Sequence, residues 1–162
     1  MCSVERWQCA ILFQALLLGG ASCVAIDGGA VEASWVVRTP DGHGIEDCAC
    51  ADPAIARIRF RVVGPDGVDR CAGKASCGFS CARRSGATAF DIPPGSYAIS
   101  LVPSDGAGVD LTRIAAGQRA VQVPVAALTR DVVHGQTTEL EAFQVVAACA
   151  DSCGGPNHVC RR

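Results

Sequence analysis

Charge of one sign is what this sequence most lacks. Fourteen Lys and Arg stand against sixteen Asp and Glu, a formal net charge of −2 at pH 7. That balance gives no electrostatic case for nucleic acid or an anionic membrane surface as partner. Lysine is nearly missing: Lys74 is the only one, and the other basic residues are arginine, which reads as a GC-rich coding bias. No G-x-S-x-G occurs, so the strained serine elbow of a nucleophilic hydrolase is not present. His43, His134 and His158 each lie in or beside Gly- or Pro-containing segments, the ordinary setting of a solvated loop histidine. No C-x-x-C occurs, which removes the usual dithiol redox motif. The stretch 67–75 is a near miss for a P-loop, with one residue too many between its glycines and Ala75 where a hydroxyl should bind Mg²⁺. Amphipathic helical periodicity, low-complexity tracts and repeats are also missing. No catalytic residue, metal or cofactor is assigned.

What is present is apolar residue and cysteine. The 162 residues are 49% hydrophobic with a mean hydropathy of +0.27, enough for a packed core in one domain plus appendages. Eleven cysteines occur: Cys2, Cys9, Cys23, Cys48, Cys50, Cys71, Cys77, Cys81, Cys149, Cys153 and Cys160. Such density in a short chain fits an oxidising compartment. With the first three in an N-terminal targeting segment, the remaining eight form an even set suited to four bridges, each worth ~2–4 kcal/mol.

The N-terminus carries an address. Residues 10–21 are apolar apart from Gln14, a length suited to a signal-peptide core and short of the roughly 20 residues of a membrane span. Gly19, Gly20, Ala21 and Ser22 then precede Cys23. This resembles a bacterial lipoprotein signal, with Gly20 where that pattern has Leu, and implies 1–22 as signal helix and Cys23 as the lipidated residue. Plain secretion and an uncleaved anchor are the alternatives.

After a tether over 23–30, a domain is expected over 31–146. Residues 31–38 place Val31, Ala33, Trp35 and Val37 on one strand face, and 54–63 alternate Ile58, Phe60 and Val62 with Arg57, Arg59 and Arg61. The first is a strand candidate; in the second the apolar positions would scatter around a helix at 100° per residue, so it is a strand with one wet face. A short strand is expected near Phe79, and a hairpin of 88–92 with 96–102 across the rigid Pro93-Pro94-Gly95 turn. Further strands are expected over 109–114, over 120–125 at an edge because of Pro124, and over 137–146; 128–133 is ambiguous. About seven short strands between turn clusters indicate an all-β, antiparallel, Ig-like sandwich. The tail 147–162 has three cysteines and almost no large apolar residues, so it is expected to be stapled onto the sandwich.

The run Phe90-Asp91-Ile92-Pro93-Pro94-Gly95-Ser96-Tyr97-Ala98-Ile99 resembles the Pro-Gly-x-Tyr corner of transthyretin-like and carboxypeptidase-regulatory-like sandwiches. Asp41-Gly42 with 55–63, and 134–140, are similar to that family's opening loop, second strand and final turn. With its N-terminus, the chain is similar to bacterial lipoproteins carrying this sandwich. The resemblance implies a non-catalytic β module, and it implies that Cys48 or Cys50 pairs with Cys81. Cys48-Ala49-Cys50 is expected to bind two separate partners rather than itself.

Three constellations could bind something. Cys149, Cys153, His158 and Cys160 match zinc ligands in type, but His158 and Cys160 stand only two apart, and in an exported protein disulfides are favoured. Asp41, Glu46 and Asp47, or Asp105 and Asp110, could offer oxygens to Ca²⁺, although acidic turn residues mostly bond their own backbone. Arg57, Arg59 and Arg61 project from one strand about 7 Å apart and are the candidate grip on an anionic glycan or partner; a solvated face is the plainer reading. The expectation is an exported, lipid-anchored module of the cell envelope, at the outer membrane. It would meet the membrane through its lipid anchor and an envelope protein or glycan through its surface, with no nucleic acid. A secreted disulfide-rich inhibitor or adhesion factor is the alternative, and a minor enzyme subunit is disfavoured.

Overall fold

The computed structural model describes residues 26–113, 120–153 and 160. Among the described residues ten strands run in the order β1 (Ala30–Arg38), β2 (Ala51–Asp52), β3 (Arg57–Val63), β4 (Gly78–Ser80), β5 (Ser85–Ala87), β6 (Gly95–Ser104), β7 (Leu128–Val132), β8 (Thr137–Glu139), β9 (Phe143–Val146) and β10 (Ala148–Cys149). Helical structure among the described residues is limited to single 3₁₀ turns at Cys48–Cys50, Ala75–Cys77, Cys81–Arg83 and Asp151–Cys153. The protein is all-β and sandwich-like.

The sheet β4-β3-β6-β7 is antiparallel throughout. Its longest pairing runs from Arg57 opposite Ser104 to Val63 opposite Ala98. The second sheet is built around β1, with β5 antiparallel on one side and β8 and β9 parallel on the other. The antiparallel expectation therefore fails for half of this sheet. Alternation has the same period in both arrangements and does not reveal strand direction.

Inward residues of the two sheets share one core. Val31, Ala33, Trp35 and Val37 from β1 join Ile58, Phe60 and Val62 from β3, and Tyr97, Ile99 and Leu101 from β6. Trp35, Phe60 and Phe79 link the layers, with ring centroids 6.5 Å apart for Trp35–Phe60 and 5.1 Å for Phe60–Phe79. The buried indole still needs a partner, and Trp35 Nε1 donates to the Cys81 carbonyl at 2.9 Å.

The Pro93-Pro94-Gly95 corner is not a hairpin. Residues 88–92 form no strand; Ile92 makes a single bridge with Gly29 beside β1, while β6 belongs to the other sheet. Two prolines have no N–H to give a ladder, so the segment carries the chain between layers. Tyr97 fixes the crossing, its hydroxyl donating to the Pro93 carbonyl at 2.8 Å. Thr88 is buried and completes the entry to β1 through its side chain, with Val31 N–H donating to Oγ1 at 2.9 Å.

Three other expectations are corrected. Residues 109–113 form turns held by Asp105 and Asp110 rather than a strand. In 120–125 only Gln122 bridges, to Val146; Val121 is buried, Val123 partly so and Val125 exposed, so the valine alternation forms no ladder. The stretch 137–146 divides into β8 and β9, because Glu139 lies opposite Glu32 and Phe143 opposite Trp35. One extra residue is thus accommodated at the break, where Leu140 N–H donates to Glu32 O at 2.9 Å. The ambiguous 128–133 supplies β7.

Candidate binding face

On β3 the buried residues Ile58, Phe60 and Val62 force Arg57, Arg59 and Arg61 to the outer face of the sheet. Arg57 and Arg61 are exposed and Arg59 is half-buried. Across the ladder Arg57, Arg59 and Arg61 meet Ser104, Val102 and Ser100 of β6. On the other flank Arg57 and Arg59 meet Ser80 and Gly78 of β4. The side chains flanking the row are short on both sides. Among the described residues none of the three has an acidic partner, whereas Arg70, Lys74, Arg113 and Arg130 are each paired.

The opposite sheet has a contrasting outer face. Glu32 and Glu139 lie side by side in the parallel β1–β8 ladder. With Ser34, Ser85 and Leu140 they border a shallow cleft of about 270 Å³. A second, more apolar cleft of about 370 Å³ lies between Pro40, Ala120, Gln122 and residues 146–148.

The eight cysteines after Cys23 form four disulfides: Cys48–Cys81, Cys50–Cys153, Cys71–Cys77 and Cys149–Cys160. The adjacent pair Cys48 and Cys50 thus has two distant partners. The near-P-loop stretch is closed by Cys71–Cys77, and its Lys74 binds Asp91 at 2.7 Å. The thiols of the candidate zinc set are consumed in bridges, Cys149 to Cys160 and Cys153 to Cys50. His158 and the candidate lipidation site Cys23 lie outside the described residues, as do the signal segment and the first three residues of the tether. The tail from Ala147 docks through Ala147 N–H to Arg38 O, Ala150 N–H to Cys50 O and the β2–β10 pairing.

The acidic turn residues satisfy local backbone. Asp47 Oδ1 accepts from Ala49 N–H, Asp105 Oδ1 from Ala107 and Val109 N–H, and Asp110 Oδ1 from Thr112 N–H. Glu46 lends its carbonyl to Arg84. Asp41 lies 3.3 Å from His43 in an exposed turn, and its carboxyl is held below the usual range, chiefly by the Thr39 side chain. Among the described residues no three His, Cys, Asp or Glu side chains gather into a metal-binding group.

Sequence reasoning missed Arg84. It sits at φ 62° after the Cys81–Arg83 turn, its guanidinium donating to the Ile45 carbonyl at 2.7 Å and to that of Glu46. Its own carbonyl accepts from Trp35 N–H at 2.9 Å. A left-handed arginine closing a loop onto β1 has no sequence signature, because the position ordinarily favours glycine.

No protein-family model, curated protein or solved structure matches the chain. Four disulfides fit an extracellular or envelope location. Among the described residues no helix is long and apolar enough to cross a membrane.

Proposed function

We propose that the protein is an exported, non-catalytic sandwich of the transthyretin-like type, anchored by lipid on Cys23. In the cell envelope it serves as a binding or structural module. The observation that carries this reading is the closure of eight cysteines in four bridges, a bond inventory that persists outside a reducing cytosol. The apolar run 10–21 and the small residues before Cys23 support the lipid address. The Tyr97–Pro93 hydrogen bond supports the corner on which the resemblance rests. The arginine row, exposed at Arg57 and Arg61, offers the binding surface.

Mass spectrometry of the mature protein, with fractionation of the envelope, tests the proposal. The expected product begins at Cys23, carries acyl chains and partitions with membranes. An unmodified N-terminus beyond residue 23 overturns the anchor and favours a secreted factor, which the same bridges would also suit.

A further inference from the structure

The outer face of the β4-β3-β6-β7 sheet combines three features that together select a ligand class. The first is charge of one sign in a regular row. Arg57, Arg59 and Arg61 stand at every second residue of β3, which spaces them by roughly 6.8 Å along an extended strand. The second is the lack of internal neutralisation: among the described residues the three have no acidic partner. Three carboxylates are in register with this face, each engaged or distant. Asp131 of β7 lies opposite Ser96 of β6, past the end of β3 at Val63. Asp110, bridged to Ser104, holds Thr112 N–H and Arg113. Asp69, bridged to Val63, accepts from Val62 and Cys71 N–H. The third is a floor of small side chains. Ser100, Val102 and the buried Ser104 on one flank, and Gly78 and Ser80 on the other, border a stripe exposed at Arg57 and Arg61 and half-buried at Arg59.

These features favour an extended chain of repeated anions. Guanidinium groups take carboxylates in two-pronged hydrogen bonds, so a regular row of them suits a regular row of carboxylates. No aromatic residue occupies the register positions of this face, which removes the stacking platform that single-stranded nucleic acid uses. It also lacks the large apolar anchor on which protein interfaces concentrate their energy. Serine hydroxyls beside the arginines match a ligand rich in hydroxyl groups. We propose that the arginine row is a binding face for an acidic polysaccharide, a chain bearing carboxylates along its length. This deepens, and rests on, the reading of the protein as an exported binding module.

The test uses the full chain in detergent against immobilised alginate, with neutral dextran, single-stranded DNA and anionic-lipid vesicles as parallel arms. The protein should bind alginate and not dextran, and binding should weaken as salt shortens the reach of these exposed charges. Replacing the row together (Arg57→Gln, Arg59→Gln, Arg61→Gln) should weaken alginate binding roughly tenfold or more, three ion pairs being lost at once. Ser100→Glu places a carboxylate opposite Arg61 while keeping all three arginines, and should weaken binding in the same direction. If circular dichroism shows the triple variant unfolded, Ser100→Glu decides alone. Unchanged binding in a folded variant, no binding by the native chain, or equal binding to DNA or vesicles overturns the proposal. The mature N-terminus of the same preparation reads the anchor separately. An unlipidated protein that still grips alginate keeps this inference and loses the anchor. A lipidated one that ignores alginate does the reverse.

Discussion

Tyr97 shows how one hydroxyl can set a chain crossing. The ring is buried in the common core while its oxygen reaches back four residues to the Pro93 carbonyl. Phenylalanine would keep the ring and orphan that carbonyl. Tyr97→Phe should therefore cost about 0.5–1.5 kcal/mol, seen as a lower urea midpoint with an unchanged slope; an unchanged midpoint would mean the two prolines hold the corner alone. The same ring lies beside a turn with its own pH dependence. Asp66 accepts from Val68 N–H at 3.1 Å and pairs with Arg70 at 2.6 Å. These contacts, the backbone one first, hold its carboxyl below the ordinary value of 3.8. A carboxyl lowered in the folded state adds stability above its unfolded pKa and loses it as the pH falls through the folded one. The stability gap between the native chain and Asp66→Asn should thus be widest near neutrality and close in acid. Denaturant titrations across the acid range check this, and a gap that grows in acid would contradict it.

At the scale of elements, packing between layers decides which glycines are replaceable. Gly86 in β5 lies under Phe79, so an added Cβ would stand 2.4 Å from the ring. Phe79 cannot swing freely because it already packs on Trp35 and Phe60. Gly86→Ala should destabilise by about 1–3 kcal/mol, the usual penalty of overpacking, measured by thermal or urea unfolding. The elements whose inner faces alternate with wet ones were legible in sequence. Val31 to Val37, Ile58 to Val62 and Tyr97 to Leu101 all fall inward as read, because burial of one face writes itself as period two. Where tertiary context supplies the pairing, the pattern misleads. Val121, Val123 and Val125 alternate without a ladder, while β7 forms although Val132 is its only fully buried residue. The arginine row was legible for the same reason as the core, being its complement on β3. Its freedom from acidic partners was not, since that depends on Ser100, Val102, Gly78 and Ser80 arriving beside it from strands distant in sequence.

For the whole molecule, the bridges differ in what they constrain. Cys71–Cys77 closes a separation of 6 residues, whereas Cys50–Cys153 spans 103 and ties the tail to the loop after β1. In the chain-entropy account, a bridge restricts the unfolded ensemble more as its loop lengthens: about 2 kcal/mol for the short loop and about 4–5 for the long one. Typical domains are stable by only ~5–15 kcal/mol, so the long bridge is a large share of the total. The double variant Cys50→Ala, Cys153→Ala should therefore lower stability by about 4–5 kcal/mol in urea. It should also speed amide exchange at Ala147, Ala150 and Cys153, whose N–H groups donate to Arg38, Cys50 and Ala150. The arginine face should keep its protection, since β3, β4 and β6 hold no part of this bridge. If the loss is no larger than for Cys71→Ala, Cys77→Ala, whose fully buried sulfurs add a cavity cost of their own, loop closure is not what the long bridge supplies. The tail would then be held by β10 and its backbone hydrogen bonds.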